Sequence, residues 1–180
     1  LYTSRIVLST LGIEDFGIYN VVGGVVSMFS FLNGAMATST QRYLTFELGK
    51  EGNVDQMRKV FNASIIIHAL ISIFILILAE TVGMWFIYSY MTIPDSRMDA
   101  ALWVYQFSIL SMIVLVMSVP YNACIIAHER MKVFAYISVL EVILKLLIVY
   151  ILVLGDIDKL KLYAVLIFCV QLLIRFIYSN

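Results

Sequence analysis

Two opposite charges, Glu141 and Lys145, lie one helical turn apart inside an otherwise apolar part of the sequence. At this spacing their side chains share one face of an α-helix. An isolated charge at the centre of a lipid bilayer costs about 2.5–3.5 kcal/mol on insertion scales. The pair therefore predicts one of two arrangements. It forms the wall of a polar cavity, where Lys145 attracts an anion or Glu141 accepts a proton, or it neutralises itself and only orients its helix.

Three other polar residues could contribute to such a cavity. Arg5 lies seven residues before Gly12, which is about 10 Å along a helix. There its guanidinium could bind a phosphate within a cavity or extend outward to the membrane surface. Asn33 and Gln41 lie beside a stripe of small residues, which favours either close helix packing or the lining of a polar cavity. The stripe consists of Gly23, Ser27, Ser30, Gly34 and Thr38.

Three further residues in apolar segments each allow two interpretations. Pro120 removes a backbone hydrogen bond and predicts a kink, which acts as a hinge or is static packing. His68 is the one titratable group of a long apolar run, a pattern that favours a packed or hydrogen-bonded histidine over a ligand. Glu80 lies either centrally or at the membrane interface, and the length of its segment favours the interface.

The composition indicates which kind of element positions these residues. Hydrophobic residues make up 62% of the 180-residue chain and charged residues 13%, while 12 Lys and Arg balance 12 Asp and Glu. A soluble domain of this length buries only about 70% of the surface of its unfolded chain. The composition therefore excludes a soluble enzyme, a disordered tail and a basic nucleic-acid-binding protein, and it indicates an integral membrane protein.

The apolar runs predict an all-α fold, a polytopic bundle of about five full transmembrane spans and part of a first one. The chain begins with Leu1, and the start reads as the end of a helix, so we expect an internal fragment of a longer protein. One transmembrane domain, 1–180, would hold all the spans. They are predicted at 1–11 (partial), 17–41, 60–84, 100–127, 133–155 and 160–178.

Lys and Arg are more frequent in one set of alternate loops than in the other. Under the positive-inside rule, this asymmetry predicts that the loop 42–59 and the turn 128–132 are cytoplasmic and that the turn Leu11–Asp15 lies outside. Aromatic residues of the interfacial type agree with the outer boundary. They are Trp85, Tyr88, Tyr90, Trp103 and Tyr105.

Several catalytic and ligand-binding signals are missing from the sequence. His68 and His128 have no Cys or acidic residue at metal-ligand spacing, so we predict no metal site. The sequence contains neither a glycine-rich phosphate loop nor a nucleophile motif with a nearby base, so we predict no cofactor and no enzyme.

The stretch RIVLSTLGIEDFGIYNVVGGVVSMFSFLNGAMATSTQRYLTFELGK resembles the amino-terminal part of bacterial polysaccharide biosynthesis membrane proteins. These are the O-antigen and capsule oligosaccharide flippases of the multidrug/oligosaccharidyl-lipid/polysaccharide exporter superfamily. The segments LAETVGMWF, WVYQFSIL, VPYNACIIAHERM and YISVLEVILKLLIVY also look like members of this family. The resemblance covers essentially the whole chain.

This resemblance implies two lobes of six helices around a central cavity that opens alternately to each side, with this chain forming most of the amino-terminal half. The implied substrate is an undecaprenyl-diphosphate-linked oligosaccharide, which crosses the bacterial inner membrane during O-antigen, capsule or exopolysaccharide synthesis. Arg5 and Lys145 would hold the diphosphate, and Asn33 and Gln41 would bond sugar hydroxyls. The implied partners are membrane lipids, the missing carboxy-terminal lobe and polysaccharide assembly proteins, with no nucleic acid.

Two other functions stay open. A cation-coupled multidrug exporter of the same superfamily would need a membrane-embedded acid, for which Glu141 is the central candidate. A membrane-bound polysaccharide polymerase or glycosyltransferase would place catalytic residues on a large loop outside the membrane, and the short predicted loops disfavour it.

Overall fold

The computed structural model describes residues 2–28, 30–50, 54–154 and 158–179. Within these ranges the chain is helical and contains no strand, which confirms the predicted all-α fold. The helices are α1 (Tyr2–Ser27), α2 (Ser30–Gly49), α3 (Val54–Leu78), α4 (Met84–Tyr90), α5 (Asp95–Ala127), α6 (Met131–Leu154) and α7 (Lys159–Ser179), and a π-helical turn, Ala79–Gly83, joins α3 to α4.

Five segments of the described chain are long and apolar enough to cross a membrane. Large apolar side chains on their outer faces are exposed, as on α3 and α6, which is the arrangement expected where lipid covers the surface. The chain is therefore a multi-pass membrane protein. The five segments are Arg5–Ser27, Val54–Tyr90, Asp95–Ala127, Met131–Leu152 and Lys159–Tyr178.

The turn predicted at Leu11–Asp15 is a single kink within α1. Gly12 has φ 83° and ψ 169°, whereas its neighbours are helical. Only glycine adopts this backbone conformation without steric cost. The helix therefore changes direction at Gly12, between the predicted partial span and the next one.

The predicted span 17–41 is divided between α1, which ends at Ser27, and α2, which begins at Ser30. Glycines weaken the helix before this point, and Ser27 Oγ donates to the Gly24 carbonyl oxygen at 2.8 Å. Among the described residues, a Cβ added at Gly23 or at Gly34 would meet nothing within 4 Å. Within this part of the chain, the close packing that the small-residue stripe favoured is therefore absent at these two glycines.

The loop predicted at 42–59 is much shorter in the structure. Helix α2 continues to Gly49 and α3 begins at Val54, so most of the predicted loop is helical. Lys50 Nζ lies 3.1 Å from Glu47 Oε1, one turn away. The charges that indicated a loop instead belong to the polar ends of two long helices.

Arg97 connects the kinked region of α1 to the starts of α5 and α7. Arg97, near the start of α5, donates from Nη2 to Asp15 Oδ2 at 2.6 Å and from Nη1 to Asp158 Oδ2 at 3.3 Å. Asp158 Oδ1 accepts the backbone N–H of Leu160 at 3.2 Å and so caps α7. These contacts place the Gly12 kink, the start of α5 and the start of α7 at the same end of the bundle, as alternate loops require.

The π-helical turn is in close contact with a buried tyrosine. Tyr105 Oη, on α5, donates to the Ala79 carbonyl oxygen at 2.7 Å, which also accepts the backbone N–H of Met84. A Cβ added at Gly83 would lie 1.9 Å from Tyr105 Oη. Gly83 therefore allows α5 to approach, and the tyrosine hydroxyl supplies a partner at the point where the helix widens.

Replacing Gly83 by alanine is expected to lower the free energy of unfolding by about 1–3 kcal/mol, because the new methyl group overlaps the Tyr105 hydroxyl. Tyr105→Phe alone should cost about 1 kcal/mol through the lost hydrogen bond. The double variant should be more stable than the sum of the two losses predicts, since the phenylalanine lacks the overlapping oxygen. Thermal unfolding in detergent measures this, and strict additivity would contradict the close approach.

Removing the cation that Asp15 and Asp158 share should also destabilise the bundle. Arg97→Gln leaves Asp15 buried and unpaired, at a cost of about 3 kcal/mol. Asp158→Asn keeps a hydrogen-bond acceptor and leaves Arg97 paired with Asp15, so its loss of thermal stability should be smaller. Equal losses in the two variants would show that Asp15 does not depend on Arg97.

Candidate functional site

A polar cavity lies between α1, α5 and α7. Its volume is about 220 Å³, and much of its wall is apolar, as in most ligand pockets. Five polar side chains line it, and their hydroxyl and amide groups can donate and accept hydrogen bonds. They are Tyr19, Ser27, Ser108, Ser111 and Gln171.

The cavity lies near the middle of the membrane. Ser111 and Gln171 are each about 20 Å, by helix rise, from Arg97 and Asp158 at the end of the bundle. The hydrocarbon core of a bilayer is about 30 Å thick. Polar residues at this depth are costly, which makes them candidates for a functional site.

The charge pair predicted from the sequence forms next to this cavity. Lys145 Nζ donates to Glu141 Oε1 at 2.6 Å, and the Lys145 and Glu141 side chains are 38% and 28% exposed. Gln171 Nε2, on α7, donates to the same oxygen at 3.3 Å. Because Gln171 also lines the cavity, it connects the ion pair on α6 to the polar wall.

Gln171 is a residue that the sequence reasoning missed. It is the sole amide within the apolar part of α7, and this signal could have marked it as a candidate. Its partner Glu141 is 30 residues away, so the contact itself could not be read from helical spacing.

The other predicted cavity residues do not join this group. Arg5 is exposed on the first part of α1 and forms no ion pair with any residue that the structure describes. Asn33 and Gln41 are half-buried on α2, and Asn33 Oδ1 is buried with no hydrogen-bond partner among the described residues. None of the three lines the cavity between α1, α5 and α7.

Pro120, the predicted hinge, is buried within α5, and the helix continues through it to Ala127. The next residue, Tyr121, contacts Arg175 of α7, whose guanidinium carbon lies 3.6 Å from the ring centre. The Arg175 side chain is therefore stacked against α5. A hinge at Pro120 stays a prediction.

His68 is packed and hydrogen-bonded, as its pattern favoured. It is 2% exposed, and its Nδ1–H donates to the Ser64 carbonyl oxygen at 2.7 Å. It adjoins a second cavity, of about 430 Å³, between α2 and α3. Glu80, by contrast, is exposed and accepts a hydrogen bond from Gln106 Nε2 at 3.3 Å.

The arrangement at mid-depth can bind a neutral polar ligand. The adjacent ion pair carries no net charge, and the cavity wall offers hydroxyl and amide groups. In the part of the chain that the structure describes, no three His, Cys, Asp or Glu side chains come together to hold a metal ion.

Comparison with known proteins gives one match. The MatE family model matches residues 2–151, which include α1 to α5 and most of α6. No curated protein and no solved structure matches the chain significantly.

Breaking the mid-membrane ion pair from one side should destabilise the protein. Lys145→Met leaves the Glu141 carboxylate with Gln171 as its remaining described partner, and we expect a loss of about 1–2 kcal/mol, between the values for exposed and buried pairs. Adding Glu141→Gln should recover most of it, because no unpaired charge is left. The measurement is thermal unfolding in detergent, with Lys132→Met on the same helix as a control for loss of a lysine.

A different result would contradict this account. If the double variant were less stable than Lys145→Met alone, the carboxylate would have another, stronger partner. If the Lys132→Met control lost as much stability, the effect would come from lysine removal in general.

Proposed function

The chain belongs to the MatE family, a part of the multidrug/oligosaccharidyl-lipid/polysaccharide exporter superfamily of membrane transporters. We propose that it forms the amino-terminal lobe of a flippase for lipid-linked oligosaccharides. The substrate would be an oligosaccharide on an undecaprenyl diphosphate. It would cross the bacterial inner membrane by alternating access, for the synthesis of O-antigen, capsule or exopolysaccharide.

The observation that carries this proposal is the unmatched charge of Arg5. This cation is the first residue of a segment long and apolar enough to span a membrane, about 10 Å by helix rise from Gly12, and it has no acidic partner among the described residues. A charge at that depth is costly unless it meets water or an opposite charge. A diphosphate supplies the opposite charge, and it cannot cross hydrocarbon without such compensation.

The mid-depth cavity supports the sugar part of the proposal. Hydroxyl and amide groups, which line it, are the groups that hydrogen-bond sugar hydroxyls. Gln171 and the serines therefore take the role that the sequence gave to Asn33 and Gln41. Lys145 is less suited to hold a diphosphate alone, since Glu141 already neutralises it.

The multidrug exporter has weaker support. Its coupling acid would need to bind and release a cation, and Glu141 already accepts hydrogen bonds from Lys145 and Gln171. Under the flippase proposal, the loop between α2 and α3 and the turn 128–132 face the cytoplasm, while Arg97 lies at the outer end.

Deleting the gene for the full-length protein should abolish surface polysaccharide and leave lipid-linked oligosaccharide in the inner leaflet. Complementation with Arg5→Gln should restore about tenfold less polysaccharide than the wild type, because a charge-assisted contact to phosphate is lost. Lys159→Gln, at the start of α7, is the matched control and should complement fully. Surface polysaccharide is quantified with equal amounts of protein in the membrane.

Two results would overturn this function. Normal polysaccharide with raised drug sensitivity in the deletion strain would identify a multidrug exporter. Full complementation by Arg5→Gln, and also by Lys145→Met, would remove both membrane cations from substrate binding.

A further inference from the structure

The exposed side of α2 at the end opposite Arg97 combines cationic and aromatic side chains. Two of its rings, those of Tyr43 and Phe46, are 67% and 60% exposed. The residues recur at three- and four-residue spacing and so share one helix face, which we call the basic-aromatic face. It consists of Ser39, Arg42, Tyr43, Phe46 and Lys50.

Four of these residues line one concave space. Ser39, Arg42, Tyr43 and Phe46, all on α2, border an open volume of about 480 Å³ on the surface of this helix. Lys50 completes the face, because its Nζ lies 4.1 Å from the centre of the Phe46 ring. The space therefore has an aromatic wall between two cationic groups.

The two cations differ in how far they are neutralised. Lys50 Nζ lies 3.1 Å from Glu47 Oε1. Arg42 is exposed and forms no ion pair with any residue in the described ranges. A guanidinium offers a planar fork of donors that matches a phosphate. Arg42 can therefore make a bidentate contact with a phosphate group.

The depth of this face matches a lipid headgroup. Arg42 lies about 10 Å, by helix rise, before the end of α2 at Gly49. Phosphates of membrane lipids lie at such an interface, which extends beyond the hydrocarbon core.

We propose that the basic-aromatic face of α2 docks the headgroup of a glycosylated polyisoprenyl diphosphate, with Arg42 on the phosphate and with Tyr43 and Phe46 against the first sugar. This inference rests on the proposed function and adds a loading site for the substrate, separate from the mid-depth cavity. A sugar has apolar C–H faces that pack on exposed rings, and the amphipathic Tyr43 ring also offers a hydroxyl. An ordinary phospholipid shares the phosphate but lacks the sugar.

The test is a binding measurement on the full-length protein in nanodiscs. The probes are undecaprenyl diphosphate with its oligosaccharide, undecaprenyl diphosphate alone, and phosphatidylglycerol. Arg42→Gln should weaken binding of both diphosphates by about tenfold, as expected for one lost charge-assisted hydrogen-bonding group. Phe46→Leu should weaken binding of the glycosylated probe alone, because it keeps an apolar side chain but removes the ring.

Arg58→Gln is the matched control. It removes the same charge at the same end of the bundle but lies on α3, away from the basic-aromatic face, so both diphosphates should bind as they do to the wild type. If Arg42→Gln fails to fold, Arg42→Lys replaces it. That variant keeps the positive charge but loses the planar guanidinium with its paired donors, so it should still bind the diphosphates more weakly than the wild type.

Three results would overturn the loading site. Arg58→Gln could weaken binding as much as Arg42→Gln, phosphatidylglycerol could compete equally with the glycosylated probe, or Phe46→Leu could affect both diphosphates alike. The first two would identify a general basic surface for phospholipid headgroups. If the wild-type protein bound neither diphosphate, the proposed function itself would fail; normal binding by Arg42→Gln and Phe46→Leu would overturn the loading site alone.

Discussion

A polar group inside a bilayer must find its partner within the protein, because hydrocarbon offers none. Much of the described structure follows from this constraint. Within the described residues, helix α5 supplies the largest number of partners for polar groups of other helices. This helix packs against α1, α2, α3, α6 and α7. It supplies Arg97 for two carboxylates, Tyr105 for a carbonyl oxygen of the π-helical turn, and Tyr121 for the Arg175 guanidinium.

The division of one predicted span into α1 and α2 gives the lobe two different packing layers. Both helices pack against α5, but α1 also contacts α6 and α7, whereas α2 also contacts α3. Ser27, the last residue of α1, lines the cavity that contains Gln171. The polar cavity therefore lies where the chain passes from one layer to the other, and the exposed face of α2 follows directly after it.

Hydrophobic run length predicted the fold because membrane helices have to match the thickness of the bilayer. The Glu141–Lys145 pair was also predictable, since both residues lie on one helix at contact spacing. The contacts of Arg97 were not, because its partners are 82 and 61 residues away. Tertiary packing, rather than the local sequence pattern, determines which carboxylates contact Arg97.

The same difference explains where the boundaries were misplaced. Charges between 42 and 59 indicated a loop, but a helix can carry polar residues wherever it extends beyond hydrocarbon. The break after Ser27 was missed because the residues immediately before and after it are apolar. Residue types could have indicated the break, because glycines weaken a helix and a serine side chain competes for the carbonyl groups of the helix backbone. Gln171 was missed because one amide in an apolar helix gains meaning only from its neighbours in space.

The distribution of charge in the lobe is better suited to transporting an amphiphilic ligand than to binding it tightly. A transport site must bind its ligand strongly enough to admit it and weakly enough to release it, a balance well described for channels. At mid-depth, Glu141 neutralises Lys145, so an anion meets hydrogen-bonding groups without a strong net attraction. On the basic-aromatic face of α2, Arg42 has no such neutralising partner among the described residues. An anionic headgroup would therefore be drawn to the end of the lobe and would not be trapped at its centre, which fits the order of steps in the proposed transport of a lipid-linked oligosaccharide.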